Sequence, residues 1–360
     1  MQVLALTEGP NHVCYRYRIA PFADALRERG WQLRALPLAS RTLERGSQLR
    51  AAASADVVIL QRKLLPLWQL RALRKWSRVL IYDFDDALFH RDSYSRKGAS
   101  SWARLAHFWA TIYTADAVLA GNGYLRAQAE AYIPPERVHW MPTCVEPERY
   151  PLARHRAQGG QAKLVWIGQH STLPCLNYAQ PLLAAAAQRV PGLRLKVICN
   201  RFPHLDGIDV LPRVWSGETE AADIASADIG VSWLPDDPWS QGKCGLKVLQ
   251  YMAAGLPVVA NPVGMNRQMV VHGKTGYLAE SPSEWAVAIA RLTADPDLRQ
   301  RMGAAGRAMV EEHYSADRWA LRFAALIDHV AGNAPVRNAP AKGASRVPAP
   351  HFALGREVSR

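Results

Sequence analysis

Short apolar runs alternate with helical patterns along most of the chain, and this alternation restricts the fold more than any other feature. Most runs are nearly continuous in Val, Ile and Leu, which is typical of strands covered by helices on both faces. The expected strands are Val3–Leu6, Gln32–Pro37, Asp56–Gln61, Val79–Asp83, Ala117–Ala120, Val138–Pro142, Lys163–Gly168, Leu195–Cys199, Ile208–Leu211, Ile229–Leu234, Pro257–Ala260 and Gly276–Leu278. The pattern predicts two successive α/β domains, each with a doubly wound parallel sheet.

A polar, glycine-rich break at Arg154–Gln161 separates the two halves. We therefore expect an N-terminal domain over residues 1–153 and a second domain over residues 154–332. Asp295 and Pro296 predict the start of one closing helix, and Ser315 the cap of another. This last helix, residues 315–331, is expected to pack back on the first domain. Residues 333–360 are rich in Pro, Ala, Gly and Arg without periodicity, which predicts a disordered basic tail.

Three features of the sequence indicate the cellular location. The first residues lack a basic n-region, and Glu8 and Pro10 interrupt the apolar stretch, so no signal peptide is expected. The longest uncharged run, residues 248–266, contains polar residues and two prolines, which argues against a membrane-spanning helix. The five cysteines form no CxxC pair, which favours a reducing compartment and argues against structural zinc. A cytoplasmic protein is expected.

The net charge is +13, and residues 1–78 carry an excess of nine positive charges. Within residues 62–78, Trp68, Trp76 and several leucines alternate with Arg and Lys. This mixture suits a helix on an anionic membrane surface, and equally an amphipathic helix packed on a sheet with a solvated basic face. Nucleic-acid binding is not expected, because no motif that reads RNA or DNA accompanies the charge.

The segment from Ala227 to Pro262 has the pattern of a complete βαβ unit. In such a unit the N-terminus of the helix lies beside the carboxyl end of the sheet, where its free N–H groups favour an anion. Lys243, Lys247 and Gln250 have the spacing of one helix face, and Gly245 permits close approach of backbone to a ligand. Two lysines there can hold a diphosphate, with Gln250 within reach of ribose hydroxyls; the alternative is a surface helix with solvated lysines.

Three carboxylates, Asp83, Asp85 and Asp86, follow the strand that begins at Val79. A DxD metal site would need a different fold, and a phosphatase-like DxDxT motif would need Thr in place of Ala87. The remaining interpretations are a cluster in an acceptor cleft that orients or deprotonates a hydroxyl, and a structural salt-bridge cluster.

The loop after the first strand contains Gly9, Arg16 and Arg18. Gly9 can bring backbone close to a ligand, and the two arginines can clamp a phosphate or pair with the acidic cluster. Solvated arginines are the alternative.

A family resemblance is carried chiefly by the run from Gly242 to Gly264, GKCGLKVLQYMAAGLPVVANPVG. It resembles the donor-binding signature of glycosyltransferase family 4, retaining enzymes of GT-B fold. Val271–Ala279 and Leu298–Arg307 resemble the closing segments of that family, and Trp166–Thr172 its first donor-domain strand and loop. The resemblance implies GT-B architecture, with two Rossmann-like domains facing a cleft. The implied donor-binding residues are Lys243, Gly245, Leu246, Lys247, Gln250, Gly168, His170 and Ser171.

The chain departs from the family pattern at three places. Gly242 and Gln250 stand where the family has two glutamates that hold the donor sugar and the ribose. The loop at Gly168–Thr172 lacks the usual basic pair, so we infer that Lys243 and Lys247 neutralise the phosphates. The strand end 82–86 has no catalytic histidine, and Asp85 or Asp86 is expected in its place.

We therefore expect a glycosyltransferase that moves a sugar from a nucleotide-diphosphate sugar to an acceptor hydroxyl. The resemblance implies retention of anomeric configuration. No cofactor or metal is expected, and a lipid-linked or cell-surface glycan, made at the inner face of the membrane, is the expected acceptor. The alternatives are a nucleotide-sugar epimerase of GT-B fold and an inactive glycosyltransferase-like binding protein.

Overall fold

The computed structural model describes residues 1–156 and 162–333. Within them, the first half of the chain forms a parallel sheet of six strands in the order β2-β1-β3-β4-β5-β6. The strands are β1 (Gln2–Thr7), β2 (Gln32–Pro37), β3 (Val57–Gln61), β4 (Val79–Phe84), β5 (Ala117–Ala120) and β6 (Val138–Trp140). Each of β3, β4 and β5 is buried along its whole length, as strands between two helical layers must be.

Helices cover both faces of this sheet. They are α1 (Val13–Arg18), α2 (Ala23–Glu28), α3 (Thr42–Gln48), α4 (Leu67–Trp76), α5 (Trp102–Thr114) and α6 (Gly123–Glu130). On one face, Leu70 of α4, Phe108 of α5 and Leu125 of α6 join the core. On the other face, Leu26 of α2 packs with the short 3-10 turn Ala20–Phe22. The apolar stripe of each helix is thus matched to the face that it covers.

The second half repeats the arrangement in the order β12-β11-β10-β7-β8-β9, again with parallel pairing throughout the described strands. The strands are β7 (Lys163–Ile167), β8 (Arg194–Cys199), β9 (Asp209–Val214), β10 (Ile229–Ser232), β11 (Val258–Ala260) and β12 (Gly276–Leu278). The order reverses beside β7, so the crevice at the carboxyl ends of β7 and β10 is the place where such folds bind ligands.

The helices of the second half are α7 (Pro174–Arg189), α8 (Glu220–Ala225), α9 (Pro238–Gln241), α10 (Leu246–Ala253), α11 (Met265–Met269), α12 (Pro282–Ala294), α13 (Pro296–His313) and α14 (Ala316–Asn333). Helices α7 and α12 cover one face of the sheet, and α8 and α10 cover the other. The Asp295 side chain accepts a hydrogen bond from the N–H of Leu298 at 2.8 Å, as its predicted capping role requires.

The predicted fold class is confirmed, because each expected strand is present in a parallel α/β sheet. The largest difference is at β9, which was expected to end at Leu211 and continues to Val214. Pro212 lies inside it, which is tolerated because β9 is an edge strand and is exposed along much of its length. Conversely, β10 ends at Ser232 rather than at Leu234.

Helix α14 returns to the first sheet, on the face opposite α4 and α5. Its Phe323 is fully buried and packs on Phe22 with ring centroids 4.9 Å apart. Asp328 accepts a hydrogen bond from the Trp31 indole at 2.6 Å. Helix α14 thereby completes the core of the first domain. Residues 157–161 of the predicted break at Arg154–Gln161 and residues 334–360 of the predicted tail lie outside the described residues, while Asn333, the first residue of that tail, is the last residue of α14.

The helices of the described residues include none that is long and apolar enough to cross a membrane. All five cysteines are buried and unpaired.

We expect Phe323→Ala to lower the free energy of unfolding by about 3–5 kcal/mol, since it removes a buried aromatic side chain and leaves a cavity. Leu321→Ala, on the exposed side of the same helix, is the matched control and should change it by about 0.5 kcal/mol or less. Urea unfolding monitored by circular dichroism measures both. Equal effects of the two substitutions would show that α14 does not contribute to the core.

Candidate functional site

The carboxyl edges of the two sheets meet in direct contact. The side-chain amide of Asn122, at the end of β5, donates to the carbonyl oxygens of Gln241 and Lys243 at 3.1 and 3.2 Å. The Cys244 thiol donates to the carbonyl oxygen of Asp85 at 3.2 Å. The turn at residues 241–244, just before α10, is thus fixed against the strand end that carries the predicted acidic cluster.

The three aspartates of this cluster have different surroundings. Asp83 is buried with Arg18, whose Nη2 lies 2.5 Å from Asp83 Oδ1, and Gln61 donates a further hydrogen bond to Asp83 at 3.0 Å. Arg18 also donates to the carbonyl oxygen of Met141 at 2.7 Å. Because Arg18 is 1% exposed, it has no access to a phosphate in this structure. Asp83 and Arg18 therefore join α1 to the sheet, which corresponds to the structural salt-bridge interpretation.

Asp85 and Asp86 lie nearer the cleft. The guanidinium of Arg62, at the end of β3, pairs with Asp85 and lies 2.6 Å from Asp86 Oδ2. Lys243 Nζ reaches Asp86 from the other domain at 2.9 Å. Arg62 has a left-handed backbone with φ of 60°, a strained conformation of the kind that concentrates at functional sites.

The charge state of Asp85 follows from its neighbours. Burial on its own would raise the pKa of the Asp85 carboxyl, but the positive charges of Arg62 and then Arg18 outweigh it and hold that pKa well below its usual range. Asp85 is therefore ionised and a weak base. It is suited to hold a hydroxyl by accepting a hydrogen bond, and poorly suited to remove a proton.

The turn before α10 differs from the sequence expectation. The helix begins at Leu246 and Lys243 lies before it, so the predicted i, i+4 spacing from Lys243 to Lys247 does not describe a shared helix face. The cause is Gly245, whose φ of 70° ends the preceding turn, and a Cβ there would lie 2.5 Å from Met269 Sδ. The chain thereby places Lys243 toward Asp86 and leaves the first N–H groups of α10 at the cleft.

Lys247 lies in the first turn of α10. Its ammonium nitrogen is 4.1 Å from the centroid of the Trp166 ring, and a Cβ on Gly168 would overlap that same ring. Trp166 therefore brings Lys247 and Gly168 together, as the donor-site prediction requires. His170 and Ser171 follow on the exposed 3-10 turn His170–Thr172. Desolvation lowers the pKa of Lys247 to about 8, so its charge is present at neutral pH and is lost above pH 8.

Gln250 is buried in a polar network rather than facing an open cleft. Its Nε2 donates to the hydroxyls of Tyr17 and Tyr150 at 3.0 and 3.2 Å. The Tyr17 hydroxyl donates to Glu220 Oε1 at 2.8 Å. Arg16 donates to the same oxygen at 2.7 Å, while Gly9 lies in the loop before α1. Arg16 thus binds the second domain instead of facing an open phosphate site.

Three residues of this site were not singled out in the sequence. Trp215 follows β9 and Glu220 is the first residue of α8, and neither belongs to a recognisable motif. Arg62 was assigned to the basic segment 62–78, whereas its side chain faces the cleft. Its position at the end of a strand neighbouring β4 was the available signal, since parallel strands bring their carboxyl ends to one edge.

The lowered pKa of Lys247 can be measured directly. In protein with ¹³C-labelled lysine, one Cε resonance should titrate with a midpoint near pH 8, while ordinary lysines titrate near pH 10.4. The resonance should be absent from Lys247→Ala and present in the control Lys274→Ala, which removes an exposed lysine. If every lysine titrated above pH 10, Lys247 would not be desolvated.

Comparison with known proteins gives consistent results. Residues 238–309 match the family described as glycosyl transferases group 1. The chain is 27% identical over 252 residues to the GDP-mannose-dependent alpha-(1-6)-phosphatidylinositol monomannoside mannosyltransferase of Mycobacterium tuberculosis, covering 62% of this chain and 63% of that protein. It is 26% identical over 255 residues to the alpha-maltose-1-phosphate synthase of Mycolicibacterium smegmatis, covering 60% and 62%. The chain thus spans less than two thirds of the length of these relatives.

Solved structures share the fold over nearly the whole chain. Sucrose-phosphate synthase from Thermosynechococcus elongatus superposes with a TM-score of 0.70 at 16% identity, covering 92% of this chain and 99% of that one. Anabaena HepE in complex with UDP-glucose superposes with a TM-score of 0.67 at 14% identity, covering 91% and 100%. The family match contains all of α10 and its flanking turns. The GT-B fold that the resemblance implies is confirmed, and residues 238–309 match the glycosyl transferases group 1 family.

Proposed function

We propose that this protein is a glycosyltransferase that moves a sugar from a nucleotide-diphosphate sugar to an acceptor hydroxyl, with retention and without a metal ion. The observation that carries the proposal is the position of the α10 N-terminus and Lys247 on one side of the interdomain cleft, opposite Asp85 and Asp86 on the other. One side offers positive charge to a diphosphate. The other offers carboxylates to a hydroxyl.

The donor side is built for an anion. The first N–H groups of α10, on Leu246 and Lys247, and the ammonium of Lys247 lie together at the helix start, beside the buried Trp166 ring. A departing diphosphate gains charge in the transition state, so fixed donors there stabilise that state more than the ground state. Lys243 adds a second cation when its pair with Asp86 opens. These groups supply the positive charge that a metal ion would otherwise provide.

The acceptor side orients the incoming hydroxyl. Asp85, held ionised by Arg62, accepts its hydrogen bond but is too weak a base to take its proton. A phosphate oxygen with a pKa of about 6 is more basic. The bond from the sugar carbon to the diphosphate breaks, the bond to the acceptor oxygen forms, and the hydroxyl proton passes to the departing diphosphate. Asp86 holds Lys243 and Arg62 in place for this step.

This function is tested with Lys247→Ala and Asp86→Asn. Lys247→Ala should weaken donor binding by about tenfold or more, since it removes a charged partner of the diphosphate. Asp86→Asn should retain binding and lose transfer. Calorimetry with GDP-mannose and UDP-glucose, and nucleoside diphosphate release with octyl glycosides as acceptors, measure the two effects with and without magnesium.

Lys274→Ala, an exposed lysine of the same domain, serves as the control and should behave like the wild type. Absence of donor binding by the folded protein would contradict the proposal. Isomerised donor without transfer would instead indicate an epimerase, and binding without turnover an inactive protein.

We further propose that the acceptor is lipid-linked and is met at an anionic membrane surface. Leu43 of α3, and Leu67 and Trp68 of α4, are 87%, 48% and 55% exposed, and a Cβ on Gly46 of α3 would touch the Trp68 ring, so the two helices are neighbours. Both helices begin at the carboxyl edge of the first sheet, on the cleft side. The cationic residues Arg41, Arg71 and Lys75 surround them and are exposed. Apolar side chains flanked by cations suit the interface of an anionic bilayer.

Not all of the segment 62–78 belongs to this surface. Arg62 faces the cleft, Lys63 pairs with Glu8, and Leu65 and Leu70 are buried. Arg74 pairs with Asp116 at 2.5 Å. The proposed membrane surface is therefore formed by the first turns of α3 and α4 and the outer face of α4.

The double substitution Leu67→Ala with Trp68→Ala should lower the affinity for vesicles of phosphatidylglycerol and phosphatidylcholine by about tenfold or more, because two apolar side chains no longer enter the interface. Cosedimentation measures it. Phe202→Ala, which removes an exposed aromatic residue of the other domain, is the control and should not change the affinity. Equal vesicle binding by the wild type and the double variant would exclude this surface.

A further inference from the structure

The carboxylate of Glu220, the first residue of α8, is buried between the two domains and satisfied from both. Trp215 donates its indole N–H to Oε2 at 2.8 Å. From the first domain, Arg16 Nη2 and the Tyr17 hydroxyl donate to Oε1 at 2.7 and 2.8 Å. The Glu220 side chain is 6% exposed. Glu220 and Trp215 thus form one unit of the second domain that the first domain covers.

The covering residue has a particular geometry. The guanidinium of Arg16 lies over the Trp215 ring, 5.4 Å from its centroid, while it donates to Glu220. A flat group of N–H donors therefore lies over an indole face and donates one N–H to a carboxylate. The Arg16 side chain can leave this position, since it is 18% exposed and belongs to the other domain.

Among the common nucleobases, guanine matches this arrangement. Its N1–H and N2–H₂ groups are adjacent donors in one plane, and a carboxylate accepts such a pair as it accepts a guanidinium. Uracil presents one N–H between two carbonyl oxygens. Adenine and cytosine each place a ring-nitrogen acceptor beside their amino group, which a carboxylate repels. We propose that Trp215 and Glu220 bind the guanine base of the donor nucleotide, and that Arg16 occupies this place when no nucleotide is bound.

The position fits the rest of the donor site, and the proposal rests on the proposed glycosyltransferase function. Glu220 is linked to Gln250 through the Tyr17 hydroxyl, by bonds of 2.8 and 3.0 Å. Gln250 lies one turn after Lys247 on α10, about 4.5 Å further along the helix axis. Glu220, Gln250 and Lys247 therefore follow one another as the base, the ribose and the diphosphate do in a nucleotide. Separation of the two domains, which carries Arg16 and Tyr17 away with the first domain, frees Glu220 and Gln250 together.

Calorimetry with GDP, UDP and ADP at pH 7 tests the base assignment. We expect the wild type to bind GDP about tenfold or more tightly than UDP or ADP, and Glu220→Gln to lose this preference, because the carboxamide sets an N–H₂ group against the guanine donors. Tighter binding of UDP or ADP, abolished in Lys247→Ala, would overturn the guanine assignment and leave the proposed function intact. No binding of any nucleotide would contradict both.

Arg16→Ala gives an independent result that loss of folding cannot imitate. It should tighten GDP binding several-fold, and more than UDP binding, because GDP no longer displaces the guanidinium. Arg213→Ala is the control, since Arg213 pairs with Asp223, which lies on the same helix as Glu220. Weaker binding of GDP and UDP alike in Arg16→Ala would show that Arg16 is a phosphate ligand and would overturn the proposal.

Discussion

The close approach of two backbones across the cleft sets the geometry of the whole site. A Cβ on Gly242 would lie 2.6 Å from the Ala87 nitrogen, and one on Gly121 would lie 2.5 Å from Cys244 Sγ. Both domains therefore meet where side chains are absent, and the meeting point adjoins Asp85 and Asp86. Lys243 can reach Asp86 only because of this contact. The absence of a side chain at Gly242 is thus a requirement of the closed arrangement, and not simply the loss of the glutamate that the family has there.

The charges at this meeting point are balanced within the protein itself. Arg62 and Lys243 satisfy Asp85 and Asp86, and Arg16 satisfies Glu220. An anionic donor must therefore exchange partners with carboxylates, because a charge left without a partner in a partly buried site is costly. Lys247 is different, since its neighbour is the Trp166 ring and its pKa is lowered by desolvation. Among the described residues it forms no ion pair, so under the proposed function it can contact an incoming phosphate without breaking one.

The fold could be predicted from the sequence because its signal is local. Continuous apolar runs such as Val57–Gln61 are determined by burial of the strand itself, and capping residues such as Asp295 act within one turn. The site could be predicted only in part. Lys247 lies inside a recognisable βαβ unit, but the pair between Arg16 and Glu220 joins positions 204 residues apart, and Glu220 belongs to no recognisable motif. The spacing from Lys243 to Lys247 suggested one helix, and the left-handed backbone of Gly245 made it a turn instead.

The hydrogen bonds of the Tyr17 hydroxyl explain why Gln250 stands where the family has a glutamate. The Tyr17 hydroxyl donates to Glu220 and receives a hydrogen bond from Gln250, so the two side chains share one tyrosine. A glutamate at position 250 would place a second carboxylate beside the first, and the two would compete for the hydroxyl hydrogens of Tyr17 and Tyr150. An amide removes that repulsion and supplies an N–H donor. The departure at position 250 is therefore the physical complement of the buried carboxylate of Glu220.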